Sequence, residues 1–403
     1  MPQPITEQTD RALWFGLKEQ TTKGTLATGA GGILIPFVSS PGINQENTDV
    51  QSQISRSDLL TQLGDYGQGS APFSLQSEMI IGAHDVIDAA VMRSTAVAAA
   101  AKSQADIGTV TGVSGATVTF SGSNVLSHFS MYDVITPLTG FAAGDLNERF
   151  VIVGATASTL TFHKAPASSG AIATWTATRH KSVIDGETDW AYTIEQYFIN
   201  ANASAAAEWL RFAELGVNSP PNGMIARSWR GRARQMVPLD STTTPVSPAL
   251  SNPTAATGLA LSSAQKEIIV NGVVLGKLSA FQFQYARPDF LPPTSSQVPE
   301  EIGLGAVRIT GSITILKDSM TYEKQFIARL KNFDIGILAQ EPAASGANPF
   351  QFFGFPNCRW INNSGSGAGR DGFSTLTMGF EAGVDLRGGA YPKTMMKLVS
   401  SAA

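Results

Sequence analysis

The sequence contains very little of what catalytic and metal sites require. It has one cysteine, Cys358, which excludes an internal disulfide and any zinc site built from several cysteines. Cys358 lies in a strand-like stretch beside Phe355, Trp360 and Ile361, so the sequence predicts a buried, inert thiol. The histidines, none of them spaced as a metal-binding pair, are expected at the surface: His84, His128, His163 and His180.

Motifs of nucleophilic or nucleotide chemistry are missing too. No nucleophile elbow of the form G-x-S-x-G occurs. Gly367, Gly369 and Gly372 formally match G-x-G-x-x-G, but an alternating strand follows them, so a hairpin turn is predicted there. The glycine-rich run from Ala27 to Gly32 also precedes a strand and not a helix N-terminus that could receive a phosphate. The sequence therefore predicts no enzyme, no catalytic residue, no cofactor and no metal site.

Charged residues are few. They make up 15% of the 403 residues, and the net charge of -4 argues against a dedicated nucleic-acid binder, because affinity for phosphates comes mostly from Lys and Arg. A weakly charged surface favours being covered by partners. No run approaches the roughly 18 apolar residues of a membrane-spanning helix, and the N-terminus has no apolar signal region. We expect neither a membrane span nor a signal peptide.

Glycine and proline, in contrast, are plentiful, with 39 and 21 residues, which is typical of strands and turns. The central pattern runs from Arg308 to Leu338 and predicts a strand, a turn, a helix and a strand. Asp318 or Ser319 is expected to cap that helix. The stretch from Phe73 to Arg93 repeats the pattern with little identity, which predicts a duplicated domain.

The flanking segments extend the match and suggest domain boundaries. The first domain is predicted over residues 1–101 and 181–238, the second over 262–403, with a linker at 239–261. Residues 102–180, with short strands separated by turn residues, predict a small all-β barrel or sandwich inserted into the first domain. The predicted fold class is mainly β: two tandem units, each with a sheet and one α-helix, plus the small all-β insertion.

The sequence contains one dense run of arginines: Arg227, Arg230, Arg232 and Arg234. Strand alternation would put the last three on one face. One hypothesis is nucleic-acid contact. The favoured hypothesis is a packed, partner-facing edge whose arginines pair with carboxylates. The matching strand of the second copy carries Glu381 and Asp385, and opposite charges at similar places invite mutual pairing.

Taken in order, these segments resemble a known family. They include LKEQTTKGT, ILIPFVSSPG, GAHDVIDAAVM, DWAYTIEQYF, GMIARSWRGRARQM, EIIVNGVVLGKLSAFQF, LGAVRITGSITILKD and DGFSTLTMGFEA. Over nearly its whole length the chain resembles the major tail tube protein of bacteriophages with long, flexible, non-contractile tails. The stretch GDLNERFVIVGATASTLTF resembles the small β-barrel insert of longer members. The commonest, shorter members lack both this insert and the second half.

The resemblance implies that the two tandem units are β-sandwich or barrel units, each with one flanking α-helix. It also implies a structural virion protein of the phage tail, assembled in the host cytoplasm. Its rings would stack into a tube through which genomic DNA passes without specific binding. Single-copy relatives are expected to close rings of six, so two copies per chain imply a homotrimer with pseudo-sixfold symmetry, with a homohexamer as the alternative. The other partners that it implies are the tape measure protein and the tail terminator and tip proteins.

Two further expectations concern the surface. The loops from Ser40 to Leu59 and from Arg287 to Gly303 hold matching positions in the two copies and are expected to reach neighbouring subunits or rings. The insertion, residues 102–180, is expected to point outward and to be dispensable for the channel, because exposed connections tolerate inserted domains.

Two functions of other classes stay open. A DNA-binding β protein would use the arginine strand. A carbohydrate-binding or hydrolysing surface protein would use paired carboxylates in a cleft of the insertion, which has few acids beyond these four: Asp106, Asp133, Asp145 and Glu148.

Overall fold

The structure is a computed structural model that describes residues 13–40, 42–50, 64–255, 258, 260–262, 266–275, 278–293, 296–316, 320–340, 349–365 and 374–401. Over these residues the fold is mainly β, as the sequence predicts, with three short α-helices. None of the described helices is long and apolar enough to span a membrane.

The first half begins with four strands and a helix. These are β1 Leu13–Glu19, β2 Ile33–Leu34, β3 Glu46–Val50, β4 Asp65–Glu78 and α1 Asp85–Val91. The sequence predicts an irregular polar loop after Ser39, but β3 forms there and pairs antiparallel with β4. The rest of that loop, positions 51–63, lies outside the described residues.

The insertion forms a sheet of its own. Its elements are β5 Ala100–Ser103, α2 Gln104–Ile107, β6 Val110–Ser114, β7 Thr117–Phe120, β8 Val134–Thr139, β9 Phe150–Ala155, β10 Thr159–Phe162 and β11 Thr176–Arg179. The strand order is β5-β11-β8-β9-β10-β7-β6. The predicted short strands are confirmed, and the sheet that they form is open and not closed into a barrel.

The first half then resumes and leads into the second. The strands are β12 Lys181–Ile184, β13 Tyr192–Phe198, β14 Ala203–Ser219, β15 Ala226–Ala233, β16 Gln235–Leu239 and β17 Thr254–Ala255. The segment 239–261, predicted as a linker, packs against the first half: Leu250 is buried, and β17 pairs with β2.

The second half contains the remaining elements. They are β18 Lys266–Val270, β19 Val273–Leu275, β20 Leu278–Ala286, β21 Asp289–Phe290, β22 Gly303–Leu304, β23 Arg308–Leu316, α3 Thr321–Ile327, β24 Lys331–Gln340, β25 Phe350–Gly365, β26 Thr375–Ala382 and β27 Lys397–Ser400. Helix α3 begins after Met320, which makes no side-chain cap bond, while the predicted caps Asp318 and Ser319 lie outside the described residues.

The two halves have the same strand order. In the first half, antiparallel pairs join β1-β13-β14-β15-β4. In the second half, antiparallel pairs join β18-β24-β25-β26-β23 in the corresponding places. Each half also has one seven-residue helix directly after the last strand of this series, α1 after β4 and α3 after β23.

Irregular features recur at matching positions as well. The ladder of β14 with β15 is bulged after Phe212, and that of β25 with β26 is bulged after Trp360. Each of these two aromatic side chains packs on a ring of the preceding strand. The ring centroids are 5.9 Å apart for Phe212 and Tyr192, and 4.5 Å apart for Trp360 and Phe333. Because bulges are specific local features of a strand pair, their recurrence supports duplication of one unit.

The helix ends repeat too. Arg93 after α1 has φ of 53° and Arg329 after α3 has φ of 54°. Left-handed backbone is uncommon for arginine and is typical of helix C-terminal caps. In each case the N–H of the following residue donates to a carbonyl in the last turn of the helix. The Ser94 N–H donates to the Ala89 carbonyl and the Leu330 N–H to the Gln325 carbonyl, both at 3.0 Å.

The insertion packs tightly on the second half. Its own core residues cluster with apolar side chains of β18, β24, β25 and β27: Ile269, Leu338, Phe350, Phe352 and Val399. The buried Lys397 ammonium also binds Asp133 of the insertion at 2.7 Å. The expectation that residues 102–180 form a dispensable decoration is therefore at odds with the structure, because these residues cover an apolar sheet face of the second half.

Candidate functional site: the shared sheet and its edges

Two pairs of strands join the halves within the described residues: β12 pairs antiparallel with β27, and β14 pairs with β20. Strand β14 of the first half pairs antiparallel with β20 of the second, from Glu214 opposite Ala286 to Ser219 opposite Phe281. Strand β20 pairs on its other side with β23. The polar and apolar faces of the two halves therefore continue across the junction as one sheet.

This continuous sheet has a polar face. Along β14, β20 and β23, core residues such as Val217, Phe283 and Ile313 alternate with polar ones, which is the pattern of a sheet buried on one side. The polar face is lined mainly by amide and hydroxyl side chains: Gln76, Asn218, Ser228, Gln282, Gln284, Thr310, Ser312 and Asn362. The resulting surface is hydrated and carries little charge.

Charges on the polar face come in opposite pairs. Arg230 lies 3.8 Å from Glu214, and Arg308 lies 3.5 Å from Glu381. Exposed pairs of this kind contribute little to stability, but each neutralises its partner. Glu381 also pairs with Arg359, so these three described arginines exceed their carboxylates by a single charge, which is a small excess for holding nucleic-acid phosphates.

The four arginines of the run all lie near carboxylates. Arg227 pairs with Asp88 at 2.5 Å, Arg232 pairs with Asp289, and Arg234 pairs with Glu208 at 2.7 Å. The predicted pairing with carboxylates is confirmed.

Three details of that prediction are wrong. Strand β15 lies between β4 and β14 and is no edge. Within one chain the run does not pair with the two predicted acids, because Glu381 binds Arg359 and Asp385 binds Arg387. Arg234 also lies beyond the end of β15, so strand alternation did not determine its position.

The loop after β20 reaches across to the first half. The Gln297 carbonyl accepts from the Gly69 N–H at 2.8 Å, and the Glu300 carbonyl accepts from the Lys23 ammonium at 2.9 Å. The buried Arg211 donates to the Ile302 carbonyl. The loop from Arg287 to Gly303 thus crosses between the two units of one chain; contact with a second chain stays a prediction.

No protein-family model matches the chain, and no curated protein matches it either.

The histidines are not where the sequence places them. Three of the four are buried, His84, His163 and His180, and only His128 is partly exposed. His84 packs on the Trp229 ring at 4.5 Å, and His180 bonds the Thr136 hydroxyl at 2.8 Å. A neutral imidazole with a hydrogen-bond partner fits an apolar core. The residue type alone therefore does not reveal whether a histidine is buried or exposed.

The acids of the insertion are structural. Asp106 accepts from the Ser103 N–H at 2.8 Å, and Asp145 accepts from the Ala167 and Ser168 N–H groups. Glu148 pairs with Lys164, and Asp133 pairs with Lys397. These acids hold turns and helix ends, so they do not form the cleft pair that a glycosidase needs.

The remaining candidate residues have equally simple surroundings. The predicted burial of Cys358 is confirmed, and burial raises the pKa of its thiol well above the usual value. No cluster of three or more His, Cys, Asp or Glu residues suited to a metal ion occurs in the described ranges. The glycines at 367, 369 and 372 lie outside those ranges.

A pH dependence follows from His180, which lies where the insertion meets Phe350 of the second half. Burial, with the nearby Arg149 cation, lowers the pKa of His180 from 6.5 to about 4. Between these values unfolding takes up a proton, so the free energy of unfolding falls as the pH drops from 6.5 towards 4, by about 3 kcal/mol from this residue. Urea unfolding at pH 8 and pH 4.5 should show a smaller pH difference for His180→Gln than for wild type; equal differences would contradict it.

Sequence reasoning missed the junction between β14 and β20. The sequence contains one signal of the matching positions. The order apolar, arginine, aromatic, apolar occurs at residues 210–213, LRFA, and again at residues 358–361, CRWI. These two stretches are the matching bulged segments of β14 and β25. The first is covered by the second half, whereas Arg359 and Ile361 in the second stretch are largely exposed.

Proposed function

We propose that this chain is a structural protein that joins head to tail into a closed ring, and that stacked rings form a phage tail tube for genomic DNA. The observation that carries the proposal is the junction of β14 with β20. It joins two equivalent units edge to edge in a heterologous contact, and repeated heterologous contacts generate rings or filaments. Three chains supply six such units.

The polar face supports the same proposal. A conduit for DNA must pass phosphates without holding them, and each cationic contact adds close to one unit of salt-dependent slope to the affinity. A face of amides, hydroxyls and arginines paired with carboxylates is suited to that task. The tape measure, terminator and tip proteins belong to this proposal as further partners.

Electron microscopy of the purified chain tests it. We expect stacked rings with six similar lobes, built from three chains, and a trimer of the 42.5 kDa chain by native mass spectrometry before stacking. DNA should not be retained at physiological salt. A chain that stays monomeric at every concentration, or a ring of six whole chains, would refute the proposed assembly.

A further inference from the structure

We propose that a groove on the second half, lined by Ile327, Arg359 and Ile361 and named here the acceptor groove, binds strand β3 of a second copy. The proposal rests on the proposed function, since it specifies the contact that closes the ring. It commits to a second copy of this chain because the chain already contains one complete example of the contact.

That example is the covered surface of the first half. Arg211 and Ala213 there hold the positions that Arg359 and Ile361 hold in the second half, directly beside the matching bulges. Both are buried, because second-half residues lie over them: the Ala213 carbonyl accepts from the Arg287 N–H at 2.9 Å, and Arg211 binds the Ile302 carbonyl. In the second half the matching residues of the acceptor groove, Arg359 and Ile361, are exposed.

The acceptor groove has the exposed apolar residues that are typical of an interface. Ile327 is 77% exposed and Ile361 is 42% exposed, although the residue matching Ile327 in α1, Val91, is fully buried. The Arg308 and Arg359 side chains are 73% and 58% exposed and share one carboxylate, Glu381. Arg329 and Lys331 also line the groove, so its cations outnumber that acid. Exposed apolar residues with a basic rim favour a partner that is acidic and partly apolar.

Strand β3 has that chemistry and the right position. All five of its residues are exposed, and they include Glu46, Asp49 and the apolar Val50. Glu46 pairs with Ser70 on β4, just as Ala286 pairs with Arg308 on β23. The residue after Glu46, Asn47, therefore matches Arg287, the residue that bonds Ala213 in the junction within the chain.

A cysteine pair tests this contact. Asn47→Cys with Ile361→Cys should form a disulfide between chains, because Arg287 and Ala213 are backbone-bonded neighbours in the matching contact. On mild oxidation we expect a ladder of dimers and trimers on non-reducing gels. The control pair is Asn47→Cys with Leu138→Cys, since Leu138 of the insertion is 43% exposed, like Ile361. It should give no ladder.

Charge reversal provides a second measurement. Glu46→Lys with Asp49→Lys should reduce ring formation at least tenfold, and adding Arg308→Glu with Arg359→Glu should restore a large part of it. Rings that form normally without any 47–361 disulfide would overturn this inference while leaving the proposed function standing. Disulfide-linked oligomers that never stack would support the contact and refute the tube. A chain with neither rings nor disulfides would overturn both.

Discussion

Replacing residues 102–179 with a short Gly/Ser linker is expected to produce an aggregating chain that forms no rings. The ends of the insertion are close, because β5 and β11 are paired neighbours, so the linker itself introduces no strain. The damage comes from the second half, where apolar side chains lose their cover: Leu338, Phe350, Phe352 and Val399. At about 1.5–3 kcal/mol for each buried side chain, the loss is of the order of the whole stability of a domain.

The first half indicates how to control this experiment. Ser204 occupies on β14 the place that Phe352 occupies on β25, and the insertion does not cover it. A trimmed chain that also carries Phe352→Ser and Leu338→Thr should recover part of its solubility. Solubility in a centrifugation assay and the sharpness of urea unfolding are the measurements. If the simple trimmed chain assembles into ordinary rings, the insertion is dispensable after all.

Much of the fold could be predicted from local patterns. Alternation in RITGSITIL and the short runs of the insertion predict β23 and β6 to β10 because a half-buried strand needs a period of two. The two strand-and-helix copies were recognisable for the same reason. The structure adds the shared strand order and the matching bulges, which show that the hydrogen-bonded arrangement of five strands occurs twice.

The rest depends on contacts far apart in sequence. Nothing near Phe350 or Phe352 indicates that residues from the insertion, about two hundred positions earlier, will cover them. The burial of His84 is equally remote, since its neighbour Trp229 is on β15. Ala213 is buried and the matching Ile361 is exposed because only the strand edge beside Ala213 has a partner strand in the same chain. The two local sequences do not reveal this difference in burial.

Breaking the ion pair of Asp88 and Arg227 is expected to have the second large effect. The two side chains are at most 1% exposed and lie 2.5 Å apart, and Asp88 also accepts from the Trp229 indole N–H at 3.0 Å. Burial raises the pKa of Asp88, so its negative charge depends on the arginine. Asp88→Ala or Arg227→Leu should each lower the free energy of unfolding by about 3–5 kcal/mol, because each leaves a buried group without its counter-charge.

The second half supplies the matched control for that pair. Leu376 occupies on β26 the position of Arg227 on β15, so the unit accepts an apolar side chain there. The double variant Asp88→Ala, Arg227→Leu should therefore be more stable than either single variant, since no uncompensated charge is left. Urea unfolding of the four proteins, followed by tryptophan fluorescence, gives the coupling energy directly. Additive losses would show that the two charges do not depend on each other, and that packing around Trp229 holds this part of the core together.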